Sequence, residues 1–167
     1  MIQRVRSASV ALLLLVSAAS ASAQAPAPAP SRPPSLAVGD VVSGFDAVGV
    51  DGVSRRVDFP KGSHTVLLFF LSSCPVCHKM LPLWSEYYQR KAKDLNVVAV
   101  MLDREPPGFF NAMPVSFPVL RSPGPALRQM FRLRHVPFMV RVAPGGRVDS
   151  VSEGITDPIK LGELFRP

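Results

Sequence analysis

Cysteine is scarce in this 167-residue chain: there are two, Cys74 and Cys77, so no disulfide scaffold can be built and any role of the pair is local. Histidine occurs three times, at His64, His78 and His135, and there is no second cysteine pair, which leaves a structural zinc site short of ligands. Basic residues exceed acidic ones, 19 to 12, yet they form no run and no aromatic residues interleave with them, so nucleic acid is not an expected partner. No apolar stretch reaches the roughly 20 residues of a membrane-spanning helix. Hydrophobic residues nonetheless make up 47% of the chain, enough for one packed domain and too many for a disordered protein.

Arg4 and Arg6 precede an apolar run from Val10 to Ala19, followed by the small residues Ala21-Ser22-Ala23. That order is an export signal over residues 1–23 with cleavage after Ala23, and a retained membrane anchor is the weaker reading. The mature chain remains basic, which favours acidic proteins or peripheral contact with anionic membranes. Residues 24–35 are rich in proline and alanine (QAPAPAPSRPP) and read as an extended linker. The folded domain is therefore expected over 36–167.

Within it, Phe45–Val50 and Val53–Val57 flank Asp51-Gly52 and predict a β-hairpin. Thr65–Leu71 and Val97–Leu102 are continuous apolar runs of strand length. Between them a helix starting near Pro75 carries Cys77, Met80, Leu81, Trp84, Tyr87 and Tyr88 on one stripe, with Pro82 kinking it. This strand–helix–strand unit implies a right-handed parallel crossover. Residues 104–124 read as loop with an extended piece at Phe117–Leu120. A helix over Pro125–Arg132, a hairpin of Phe138–Val142 with Arg147–Val151, and a closing helix over Ile159–Phe165 capped by Asp157-Pro158 follow. The fold class is α/β.

The chemistry concentrates at Cys74-Pro75-Val76-Cys77. Cysteines three apart at a helix start place the first sulfur beside unpaired backbone N–H groups and the second one turn inside. The amide end of a helix stabilises a thiolate there, so Cys74 is the expected nucleophile and Cys77 the resolving thiol. Three other readings stay open on the motif. One is a plain structural disulfide, to which the loop-entropy relation gives only roughly 2 kcal/mol for so short a ring. Another is c-type haem attachment through Cys-Pro-Val-Cys-His78. The last is a metal site, such as copper on Cys74, Cys77 and His135. Pro137, in His135-Val136-Pro137-Phe138, directly precedes a strand, where an ordinary trans proline is the bland expectation. Arg128 and Arg132, four apart, offer either a basic rim for acidic substrates or a solvated helix face.

These residues resemble the thioredoxin superfamily, and in particular its exported TlpA-like thiol:disulfide oxidoreductases. The resemblance implies a thioredoxin-like fold: a central mixed sheet flanked by helices, with an N-terminal β-hairpin and a strand–helix insertion, here about Val97–Phe110. It implies that Val136 and Pro137 bind substrate backbone, with Pro137 in the cis form, and that Pro75, Val76 and Pro82 support the dithiol. Within the branch, Phe69–Cys77 is most similar to the MauD group of accessory proteins for methylamine dehydrogenase maturation. Two departures matter. Ser73 stands where many relatives carry Trp, and Leu68 occupies the place of the superfamily's buried acid, which leaves the proton acceptor for Cys77 unassigned; His78 and Lys79 are the near candidates. Leu67 and Leu71 sit where a peroxidase needs proline and a hydroxyl residue, so peroxide chemistry is not expected. The expectation is an exported, periplasmic, monomeric enzyme without cofactor, exchanging disulfides with client proteins and an envelope redox partner, with reduction slightly favoured.

Overall fold

The computed structural model describes residues 35–166. The export segment and the linker, apart from Ser35, lie outside the described residues. Seven strands form one sheet in the order β2-β1-β5-β4-β3-β6-β7. In chain order the elements are β1 (Phe45–Gly49), β2 (Ser54–Val57), β3 (Thr65–Phe70), α1 (Pro75–Arg90), β4 (Asn96–Met101), α2 (Phe109–Ala112), β5 (Val119–Arg121), α3 (Pro125–Met130), β6 (Phe138–Val142), β7 (Val148–Glu153) and α4 (Pro158–Phe165).

β3, β4 and β5 run parallel, and β6 lies antiparallel to β3 on its other side. The two terminal hairpins are antiparallel. This is the mixed, thioredoxin-like sheet that the sequence implies. At the first hairpin Gly52 takes φ +83° and Asp51 Oδ1 accepts the Val53 N–H at 3.1 Å, the turn chemistry expected of Asp-Gly. At the second, Gly146 has φ +94°, and a side chain there would collide with the Val42 carbonyl.

β3 is buried on both faces because helices or hairpins cover both. Val66, Leu68 and Phe70 face α1 and α4, where they meet Met80, Leu81, Trp84 and Leu161. Leu67 and Phe69 face the other layer, against Leu127, Phe131 and Phe45. Phe131 lies 4.9 Å from Phe69 and 5.8 Å from Phe45, ring centre to ring centre. α1 docks through Cys77, Met80, Leu81, Trp84 and Ser85, while Tyr87 and Tyr88 are only half buried. The helix continues through Pro82, whose ring lies on the exposed side.

Several boundaries differ from the sequence expectation. Val97–Phe110, expected as a strand–helix insertion, holds the strand β4 and the start of α2, while 104–124, expected as loop with an extended piece at Phe117–Leu120, contains α2 and the short β5 at Val119–Arg121. α3 stops at Met130, because Arg132 adopts φ +47° and turns the chain. In β6 all five residues are buried, including Arg141, whose side chain is 7% exposed. Arg141 donates to Asp149 at 3.1 Å and to the Leu164 carbonyl at 3.1 Å, so its charge ties β7 and the end of α4 to the sheet.

The anchoring of α1 can be tested at Trp84, which is fully buried and donates its indole N–H to Met139 sulfur at 3.1 Å. Trp84→Ala is expected to cost about 3–5 kcal/mol, read as a fall in the urea midpoint with the slope unchanged. An unchanged midpoint contradicts the packing described here.

Candidate active site

β3 ends at Phe70, and a four-residue passage of Leu71, Ser72, Ser73 and Cys74 leads into α1. Cys74 is the N-cap, with extended backbone (φ −92°, ψ 112°), and Pro75 takes the first helical position, where no N–H is needed. The Cys77 amide donates to Cys74 Sγ at 3.2 Å, so the first sulfur fills the capping role that a serine or aspartate oxygen fills elsewhere. Cys74 is half buried, whereas Cys77 is fully buried among Met80, Leu81 and the β3 side chains. Both are free thiols.

Burial pushes the Cys77 thiol up from its ordinary 9.0 to about 12, helped by the hydrogen bond to Cys74 and the charges of Cys74 and Asp103; the Leu71 backbone pulls the other way. The two sulfurs therefore differ by environment rather than by kind. One is accessible and capped by an amide; the other is a protonated thiol in the core.

Across from Cys74, the Val136–Pro137 peptide is cis, and the Val136 carbonyl lies 3.9 Å from Cys74 Sγ. Sequence separates these residues by more than sixty positions; the antiparallel pairing of β6 with β3 brings them together. Val136 is half buried and Pro137 buried. Val76 is half buried beside the dithiol, and Pro82, exposed on α1, lies outside this cluster.

Asp103 belongs to the site and escaped the sequence reading. It follows β4 and accepts four hydrogen bonds from the turn before Cys74: Ser72 N–H at 2.8 Å, Ser72 Oγ at 2.9 Å, and Ser73 N–H and Oγ at 3.3 Å each. The available signal was positional. A carboxylate directly after an apolar parallel strand sits at the same sheet edge as the residues after the neighbouring strand. His78, a candidate proton acceptor for Cys77, bonds elsewhere. Its Nε2 donates to the Ser72 carbonyl at 2.7 Å, and its ring packs 5.8 Å from Phe109. Lys79 is exposed. A cleft of about 820 Å³ is lined by Asp103 together with Arg104, Glu105, Phe109 and Arg121.

The rival readings of the motif fit this geometry poorly. Covalent haem needs both sulfurs and His78 on one accessible face, but Cys77 is enclosed and His78 is engaged with Ser72. His135 does not join the cysteines: among the described residues no three His, Cys, Asp or Glu side chains are grouped to hold a metal ion. Arg128 and Arg132 form no basic rim either. Arg128 reaches the Leu102 carbonyl at 3.2 Å, and Arg132 pairs with Asp40 at 2.8 Å, tying the start of the domain to the turn after α3.

A family model described as Redoxin matches residues 34–142. No curated protein is significantly similar to the chain. Among solved structures, a putative thiol:disulfide interchange protein DsbE from Chlorobium tepidum is similar at 27% identity and a TM-score of 0.65, covering 78% of this chain and 94% of its own. StoA from Bacillus subtilis is similar at 22% identity and a TM-score of 0.64, covering 74% and 97%. The pneumococcal exposed lipoprotein thioredoxin Etrx1 from Streptococcus pneumoniae is similar at 23% and 0.63, covering 73% and 98%.

The raised thiol has a measurable consequence for stability. Above its ordinary 9.0 the unfolded Cys77 loses its proton while the folded one keeps it until about 12. The stability associated with the neutral thiol is thus complete below pH 9 and is lost as pH rises toward 12. Urea midpoints of the reduced protein are expected to fall more steeply over that window than those of Cys77→Ala. Parallel curves would show that Cys77 ionises equally easily in both states.

Proposed function

The chain belongs to the Redoxin family, and from that premise we propose that it is an exported thiol:disulfide oxidoreductase acting through Cys74 and Cys77. It is a thioredoxin-like oxidoreductase whose partners are the thiols and disulfides of client proteins. The observation that carries the assignment of roles is the capped sulfur: Cys74 Sγ accepts the Cys77 amide at 3.2 Å and is half exposed, while Cys77 is enclosed.

In the reducing direction Cys74 thiolate attacks one sulfur of a client disulfide. A Cys74–client bond forms, the client S–S bond breaks, and the other client sulfur leaves as a thiolate that takes up a proton. Cys77, after losing its proton, then attacks Cys74 Sγ, closing the intramolecular disulfide and releasing the second client thiol. Two electrons pass from the pair to the client, with one proton from Cys77 and the other from solvent, since Cys74 enters as the thiolate. Attachment of the client removes the negative charge at Cys74, and with it one of the influences that keep Cys77 protonated. An envelope dithiol partner restores the reduced pair.

Val136 and Pro137 receive the client backbone, a role supported by the nearness of the Val136 carbonyl to Cys74 Sγ. Pro75 and Val76 shape the rim of the helix start, and Pro82 supports α1 from its exposed side. Export rests on the sequence of residues 1–23. Placement in the TlpA-like branch, near the MauD group, rests on Phe69–Cys77 together with the hairpin and Gly145-Gly146 turn. The enzyme acts as a monomer without cofactor, in the periplasm or an equivalent exported location, with peripheral membrane contact through its basic surface.

Insulin-reduction turnover separates the two cysteines. Cys74→Ser is expected to abolish it, and Cys77→Ser to stop after one event, leaving a mixed disulfide visible by non-reducing electrophoresis. Turnover retained in Cys74→Ser removes that sulfur from the mechanism.

A further inference from the structure

We propose that Asp103 is a positioning residue whose carboxylate, held by the two serines before Cys74, biases the dithiol couple toward the disulfide. The proposal rests on the thiol:disulfide reading above and names a group that tunes the couple, which the motif leaves open.

The geometry is specific to this turn. Oδ1 takes the Ser72 N–H, and Oδ2 takes the Ser72 hydroxyl and both donors of Ser73. All four donors belong to the two residues directly before the nucleophile. β3 and β4 end together, with Phe70 opposite Met101 and the Leu102 N–H on the Phe70 carbonyl at 2.9 Å, so the carboxylate is delivered to the edge where α1 begins. From the other side His78 holds the Ser72 carbonyl. Among the described residues no cation comes within ion-pair distance of Asp103, whereas the adjacent Glu105 is paired with Arg121. Its carboxylate accepts from four neutral donors.

A fixed negative charge next to the pair acts unequally on the two redox states. The disulfide is neutral, and at a pH where the reduced pair carries a thiolate a nearby carboxylate raises the free energy of that anion. Oxidants of this fold class draw their power from a stabilised reduced form; the arrangement here works in the opposite sense. Asp103 is also among the groups that push the Cys77 thiol up, behind burial and Cys74.

The test is the equilibrium of the Cys74/Cys77 couple in glutathione buffers at a pH where titration shows Cys74 ionised in every variant, with melting temperature measured alongside. Asp103→Asn is expected to shift the equilibrium constant about tenfold toward the reduced protein, which is ~30 mV more oxidising for a two-electron couple. Asp103→Ser is the second neutral variant should the first not fold. Asp103→Glu, and Ser72→Ala with Ser73→Ala, keep the charge and are expected to stay within about threefold of the parent even where melting falls. A neutral variant that melts earlier with an unmoved or more reducing midpoint overturns the proposal and reduces Asp103 to a structural cap. A parent chain that never equilibrates with glutathione overturns the exchange reading itself, which keeps the two failures distinguishable.

Discussion

The amide of Cys77 donating to the sulfur of Cys74 is the contact on which the rest of the site depends. It exists because Cys74 is the last non-helical residue before α1, so its side chain meets donors that the helix cannot pair internally. Pro75 in the next position sets the helical φ and has no N–H to compete for that sulfur. One hydrogen bond thus makes the first thiol a ligand of the helix end and fixes the second one turn deeper. The chemical asymmetry of two identical side chains follows from that single geometric fact.

The depth of the second thiol is a property of the whole sheet. Cys77 is buried because α1 lies against Val66, Leu68 and Phe70 with Trp84 and Met80 as its anchors. β3 in turn can be apolar on both sides because Phe131 and Phe45 cover its opposite face. A cavity made anywhere along this stack loosens the helix that carries both sulfurs, so stability and reactivity share the same side chains. Burial also sets a demand: a thiol held protonated in the core has to give up its proton before it can close the disulfide.

Two elements from distant parts of the chain complete the constellation. β6 runs antiparallel to β3 and delivers Val136 and Pro137 to the exposed sulfur, and β4 runs parallel to β3 and delivers Asp103 to the turn behind it. Both arrive at the same end of the sheet, where the loops are free to diverge while the strands hold them in register. Leu68 is fully buried in the same cluster as Cys77, and the core beneath the dithiol is apolar. The carboxylate at this site is instead carried at the strand end, in contact with the backbone turn.

The sequence by itself determined the sheet's strands, the helix start at Pro75, the turn at Asp51-Gly52 and the identity of the reactive pair. Each of these is set by local chemistry: apolar runs, Asp-Gly and Pro-Gly-Gly turns, and two cysteines three apart. Tertiary structure decided which residues meet the reactive turn. Strand pairing brings the Val136 carbonyl to Cys74 Sγ and Asp103 to Ser72 and Ser73, and of Asp103 the sequence carries only a positional signal. His78 stood as a candidate proton acceptor and is engaged with Ser72; Arg141, inside the β6 run, is enclosed; Arg132, open between a rim and a solvated face, ties down Asp40. A charged or polar side chain has no fixed preference until its partners are placed, because its cost of burial depends on the hydrogen bonds it finds there. Apolar patterning is legible in one dimension, whereas polar pairing is settled only when the sheet closes.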